Sequence, residues 1–279
     1  MERTIQKRLS VGGSCGGGSW VTVDVYGDPD APGLVVVPGV MSDASLWARV
    51  AVAVAVDAWP SVAVVNRRGR TPSGPLTGFY SMRTEVEDLG VVLDELDELG
   101  GARALFGWSY GGLIALLSAD ERPVRQVIAY EPVMAPFGRH ALPDLEAAEE
   151  AGDWDRSVEI VNRRISGFSA AHVEELRADR PTWEALRRLS GPLRAELGAL
   201  NALRPPEALA RRAGQVDLII GQLNRGADPY GTSFDDVRRR LAPAAEAHAE
   251  IHELAGQGHL GHIEAPTELA RLLNSLAAA

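Results

Sequence analysis

The stretch that decides the fold is ALFGWSYGGLIALL, residues 104–117, in which a short apolar run passes through a knot of glycines into a second apolar run. Ser109 sits at its centre, two residues after Gly107 and two before Gly111. The first run, Ala104 to Phe106, suits a buried strand, and the second, Leu113 to Ser118, suits a helix. A chain that turns from strand to helix within so few residues brings backbone against backbone, and only glycine at positions 107 and 111 permits that approach. A serine on such a turn is strained, with Oγ raised above the sheet at the N-terminus of a helix whose dipole favours developing negative charge. Gly-x-Ser-x-Gly alone is a weak signal. Its strand-turn-helix setting makes Ser109 a candidate nucleophile, against the plainer alternative of a small residue in a glycine-rich bend.

The sequence around this turn alternates between two patterns. LVVVPG (34–39), SVAVVNRRG (61–69), RALFG (103–107) and VRQVIAYEP (124–132) are short and apolar and stop at glycine or proline, as buried strands do. Between them, SLWARVAVAVAV (45–56) has helical length. RTEVEDLGVVLDELDEL (83–99) sets Val86, Leu89, Leu93 and Leu96 on one face and carboxylates on the other. Strands alternating with helices predict a parallel sheet covered on both faces. The alternation lapses over residues 136–210, which hold only helical stretches. It resumes with QVDLIIG (215–221), a helix FDDVRRRLAPAA (234–245), AEIHELAG (249–256) and a closing helix APTELARLLNSL (265–276). Residues 136–210 therefore suit a helical cap inserted into a core of residues 1–135 and 211–279. GGSCGGGSW near the start suits a loose hairpin turn between two edge strands, since no helix follows it as a phosphate-binding loop would require.

Composition narrows the function classes. The 279 residues, 46% hydrophobic and 24% charged, hold enough apolar material for a sizeable core. A net charge of −10 argues against a nucleic-acid binder, which needs a basic face. Cys15 is the sole cysteine, which excludes an internal disulfide and a cysteine zinc cluster. No apolar run reaches the roughly 18 residues of a membrane span, and MERTIQKRLSVGG lacks a signal-peptide apolar region. The expectation is a cytoplasmic protein with no membrane or nucleic-acid partner.

A nucleophilic serine needs a base. GQGHLGHIEAP (256–266) lies between the last strand and the last helix, on the same edge of the sheet as Ser109, and holds His259 and His262. His259 follows a glycine in a loop and can reach across the edge; His262, near the helix start, suits a structural role. His140, His172, His248 and His252 fall in the cap or in amphipathic surface patterns.

With serine first and histidine last, the chain resembles the α/β-hydrolase superfamily, in its capped branch of bacterial esterases, thioesterases, haloperoxidase-like and dehalogenase-like enzymes. VVVPGVMSDASLW (35–47) resembles the oxyanion loop, which usually reads His-Gly, a variable run and Trp. NRRGRTPSG (66–74) resembles the Asp-x-Arg-Gly-x-Gly-x-Ser turn, and GHLGHIEAP (258–266) matches Gly-His followed by Glu-x-Pro, which selects His259 over His262. The resemblance implies a mostly parallel eight-stranded sheet with helices on both faces and a helical cap. It also implies an oxyanion hole made by the backbone N–H groups of Val40 and Tyr110. Pro38 stands where the family usually has a histidine that supports the loop.

The third member of a triad is the departure. The family's aspartate falls three residues past the glycine that ends the penultimate strand; here that glycine is Gly221 and the position is Asn224. An asparagine carbonyl can hold an imidazole tautomer but cannot stabilise imidazolium by charge. Three residues are candidates to steady His259: first Glu131, at the end of the strand after the elbow, as in some haloalkane dehalogenases; second Asn224; third Asp228.

The implied activity is acyl transfer through a Ser109 acyl-enzyme, with hydrolysis of a small ester or thioester as the leading expectation. A biosynthetic acyltransferase or carrier-protein thioesterase is the alternative. The acyl substrate would be a small molecule, free or presented on a carrier protein. Met41, Trp108, Trp154, Phe168 and Trp183 are candidate substrate contacts, each of which would serve equally in cap packing. A non-covalent lyase, cyclase or ligand-binding protein on the same fold stays open because of Asn224. No cofactor is expected, and no histidine–carboxylate cluster has metal-ligand spacing.

Overall fold

The computed structural model describes residues 3–12, 18–97 and 104–277. The glycine-rich segment expected to form a hairpin turn lies, at residues 13–17, outside them, though the flanking strands β1 (Ile5–Gly12) and β2 (Gly18–Gly27) do pair antiparallel.

A period of two along the strands sorts the core into two layers. Strand β3 (Leu34–Val37) is buried along its whole length. Leu34 and Val36 join one apolar cluster, which includes Trp47 and Leu269, while Val35 and Val37 join the other, with Leu89 and Leu113. The same division runs through β4 (Ser61–Asn66), β5 (Ala104–Trp108), β6 (Val124–Tyr130) and β7 (Ala213–Gly221). With β8 (Ala249–Leu254) these strands form one eight-stranded sheet in the order β1-β2-β4-β3-β5-β6-β7-β8. The β1–β2 and β2–β4 pairs are antiparallel, and every pair from β4 to β8 is parallel.

Helices cover both faces. The apolar sides of α1 (Ala44–Asp57) and α12 (Pro266–Ser275) pack on one, and α2 (Met82–Asp97) and α3 (Tyr110–Glu121) on the other. Asp43 caps α1, its carboxylate accepting the Ser45 N–H at 3.0 Å and the Leu46 N–H at 3.4 Å. Between β6 and β7 the chain is helical: α4 (Leu142–Glu150), α5 (Trp154–Ile160) running into a π-helical turn (Val161–Ile165), α6 (Ala170–Ala178), α7 (Arg180–Leu189) and α8 (Leu193–Ala202).

The sequence differs from the structure after β7. The helix expected at 234–245 starts earlier, as α9 (Tyr230–Arg238), and is separate from the short α10 (Pro243–Glu246). Pro243 is the reason: it forces Ala242 into an extended conformation (φ −59°, ψ 146°), which breaks the run. A further short helix, α11 (Gly261–Glu264), carries His262. No helix among the described residues is long and apolar enough to cross a membrane.

Candidate active site

Parallel strands deliver their C-terminal ends to one edge of the sheet. Pro38 follows β3, Arg67 follows β4, Ser109 follows β5, Glu131 follows β6, Asn224 lies three residues after β7, and His259 lies five residues after β8. Residues far apart in sequence are thus gathered on one rim.

Ser109 occupies a backbone conformation that side chains rarely adopt (φ 57°, ψ −121°) and is buried. The turn around it has no room to spare. A Cβ on Gly107 would stand 2.3 Å from the carbonyl oxygen of Gly111, and one on Gly111 would stand 2.0 Å from that of Val37. Tyr110 opens α3, so its N–H belongs to the first turn and has no partner within the helix. The oxyanion-loop segment lies directly alongside: a Cβ on Gly39 would be 2.9 Å from Ser109 Cβ.

Of the three candidates to steady His259, the structure brings Glu131 into contact with it. His259 Nδ1 lies 2.6 Å from Glu131 Oε2, and Glu131 is completely buried. A carboxylate only accepts, so Nδ1 carries the proton and Nε2 keeps its lone pair. Glu131 also accepts the Gly221 N–H at 2.8 Å and, at 3.0 and 2.9 Å, the Asn224 side-chain amide. Asn224 therefore faces Glu131, where it had been a candidate to hold His259 directly. An amide is the residue type that fits here, because an aspartate would set two carboxylates against each other. Asp228 is exposed, and its carboxylate accepts from the Thr232 hydroxyl.

Two further contacts hold His259. Trp108 Nε1 donates to its carbonyl oxygen at 2.8 Å. The Tyr230 ring stacks on the imidazole, with centroids 3.6 Å apart and planes 14° apart, and the Tyr230 hydroxyl donates to Ser166 Oγ at 2.9 Å. Burial raises the Tyr230 hydroxyl pKa, so it stays a neutral donor. His262 stacks flat on Trp47, 4.5 Å between centroids; burial and, secondarily, His259 push its pKa down to about 3, so it is neutral. No local pattern marks Tyr230, which lies ahead of the helix expected at 234–245.

Ser109 and His259 line a cavity of about 240 Å³. Val40, Met41, Leu46 and Trp108 form its core side; Phe137, Val161, Ile165, Phe168, Leu176 and Leu186 form the side supplied by the segment between β6 and β7. Asp, Glu, Lys and Arg are absent from its lining among the described residues. Of the candidate substrate contacts, Met41, Trp108 and Phe168 reach the cavity and Trp154 and Trp183 do not. Trp183 is instead spent on packing within the helical segment: its Nε1 donates to Asp155 at 2.6 Å and Arg177 lies 4.5 Å over its ring. Trp154, half-buried, starts α5.

One trio of potential metal ligands, Asp217, Glu250 and His252, occurs among the described residues, on β7 and β8. Asp217 already accepts from Gln126 (2.7 Å), Gln215 (3.0 Å) and His252 (2.8 Å), which accounts for its burial without an ion.

A search of curated protein sequences found no match. Solved structures do resemble the chain. An alpha/beta hydrolase from Sphaerobacter thermophilus superposes with a TM-score of 0.72 at 23% identity, over 92% of this chain and 96% of that one. The enol-lactonase of Burkholderia xenovorans gives 0.72 at 18% identity, over 92% and 96%. The bottromycin epimerase gives 0.60 at 23% identity, over 97% and 98%. The model of the alpha/beta hydrolase family matches residues 34–272, which takes in every strand from β3 to β8 and both Ser109 and His259. The chain belongs to the alpha/beta hydrolase family.

Proposed function

We propose that this protein transfers acyl groups through an ester formed on Ser109, and that the overall reaction is hydrolysis of a small apolar ester or thioester. The observation that carries this is the His259–Glu131 contact of 2.6 Å, made by a histidine that shares a cavity with a serine on a strained turn. His259 Nε2 takes the Ser109 hydroxyl proton as Oγ attacks the acyl carbon. Negative charge moves to the carbonyl oxygen, where the Val40 and Tyr110 N–H groups receive it; such a pair supplies a few kcal/mol of transition-state stabilisation. The buried Glu131 carboxylate stabilises the imidazolium, which passes its proton to the leaving group. Water, activated by the same histidine, then resolves the acyl-enzyme.

The cavity argues for the acyl class. With no charged side chain in its lining, an ionised acyl group would lose hydration without compensation. An uncharged, apolar or aromatic acyl group fits. Residues 136–210 act as a cap, supplying Phe168 and Val161 as walls. The enol-lactonase among the structural relatives supports hydrolysis.

Incubation with a fluorophosphonate should label the protein, and Ser109→Ala should abolish labelling and turnover of p-nitrophenyl esters. Folded wild-type protein that neither labels nor hydrolyses would remove the proposal. It would favour a second reading, a non-covalent catalyst or binder using the same cavity; the epimerase among the structural relatives was solved in complex with bottromycin A2.

A further inference from the structure

We propose that Arg67 is the positioning residue for both halves of the oxyanion hole, and that Glu196 of the cap completes its charge balance; this rests on the acyl-transfer reading above. Arg67 is 2% exposed, at the end of β4. Its Nε donates to the Pro38 carbonyl at 2.9 Å and its Nη2 to the Gly39 carbonyl at 2.8 Å. The Gly39 carbonyl and the Val40 N–H belong to one planar peptide. Clamping the oxygen fixes where the N–H points, and a cation on the oxygen makes the N–H a stronger donor. The same guanidinium lies 5.0 Å from the centre of the Tyr110 ring, the residue whose N–H is the second donor. The tyrosine is tied in at its far end as well: its hydroxyl is 3.3 Å from that of Tyr80, which is itself bonded to Glu85.

Arg67 supplies the loop support that Pro38, standing in for the usual histidine, cannot give. Its charge is met from two sides. Nη1 donates to Glu85 Oε1 at 2.7 Å and stands 2.7 Å from Glu196 Oε1. Glu196 is fully buried on α8 and also binds Arg70 at 2.6 and 2.8 Å. The two arginines and two glutamates form a neutral buried cluster, which such groups need to remain charged. The cap therefore reaches the oxyanion loop through Glu196 and Arg67.

The test compares Arg67→Met and Arg67→Lys with wild type on a p-nitrophenyl ester, and measures two inhibitors. One is an alkyl trifluoromethyl ketone, which adds to serine as an oxyanion; the other is the matching alkyl amide, which binds without developing charge. Arg67→Met should lower kcat by about 10²–10³-fold with KM within threefold, and weaken the ketone but not the amide. Arg67→Lys keeps the charge but loses the fork, and should lower kcat at least about tenfold with the same selectivity. Should the methionine variant not fold, the lysine variant alone decides. Wild-type kcat in the folded lysine variant, or equal losses for ketone and amide in either variant, overturns the inference. A wild type that is itself inert to fluorophosphonate overturns the acyl-transfer reading instead, and separates the two failures.

Discussion

Replacing Glu131 with glutamine tests the triad, and the structure says why the change should be severe. The side chain accepts three donors: the Gly221 N–H on Oε1, the Asn224 amide across both oxygens and His259 Nδ1 on Oε2. A glutamine oxygen that keeps the Gly221 bond puts its NH2 group against His259. That group donates, so Nδ1 must become the acceptor and the imidazole proton moves to Nε2, the atom needed to accept the serine proton. The flipped amide presents a donor to the fixed Gly221 N–H in a fully buried site, where an unmet donor costs about 1–3 kcal/mol. Either orientation is penalised, and the better-bonded one disables the base. Amide replacement of a triad carboxylate lowers kcat by about 10⁴-fold through the same tautomer error, equivalent to about 5 kcal/mol of transition-state stabilisation. We expect a loss of that order in Glu131→Gln, read as kcat for p-nitrophenyl butyrate hydrolysis at pH 8, with the circular dichroism spectrum unchanged. A variant that folds and keeps more than a tenth of wild-type kcat would show that Glu131 does not serve His259.

Asn224→Asp places a carboxylate where the amide now lies within 3.0 Å of Glu131. Two carboxylates so close hold a proton between them, so the acid limb of the kcat/KM profile should move to higher pH by about one unit or more; an unmoved limb would mean the two groups do not interact. Gly107→Ala drives a Cβ to 2.3 Å from the Gly111 carbonyl oxygen, backbone against backbone. It should cost about 3 kcal/mol or more in urea unfolding, and a wild-type midpoint would contradict the packing of the turn. His262 is neutral in the folded protein, its pKa lowered from 6.5 to about 3, so the unfolded chain binds the extra proton as pH falls. Its contribution is complete above about pH 6.5 and is lost toward pH 3, at up to about 1.4 kcal/mol per pH unit. His262→Phe should flatten that part of the stability curve, and a parallel curve would show that the proton uptake lies elsewhere.

Much of this was legible in the sequence because it is written locally. Val35 to Val37 and Val62 to Val65 alternate between faces within single strands, and the elbow glycines stand two residues from the serine they accommodate. The histidine loop was legible for the same reason. The acid was not settled, because the choice among Glu131, Asn224 and Asp228 depends on how the loop after β7 meets the end of β6, across some 90 residues. Its Asn224 reads as a defect in isolation and as a carboxylate partner once Glu131 is beside it. Trp154 and Trp183 illustrate the reverse problem: aromatic character marks burial, and only the folded segment tells burial against a neighbour from exposure to a cavity. Arg67 gave no local signal, since its partners come from the loop after β3 and from α2, α3 and α8.

The location of Glu131 has a consequence for how this protein can be rebuilt. In the proposed triad, nucleophile and acid sit at the ends of neighbouring strands β5 and β6, and both precede α4. Only the base is encoded downstream. Proposed nucleophile and acid thus belong to one contiguous strand-helix-strand module, and the helical segment that lines the cavity lies between that module and the histidine. Such segments could be exchanged at the two joints, after β6 and before β7, provided each replacement keeps a carboxylate in the place of Glu196 for Arg67 and Arg70. The loop after β7, relieved of supplying the acid, has only to keep one amide in place.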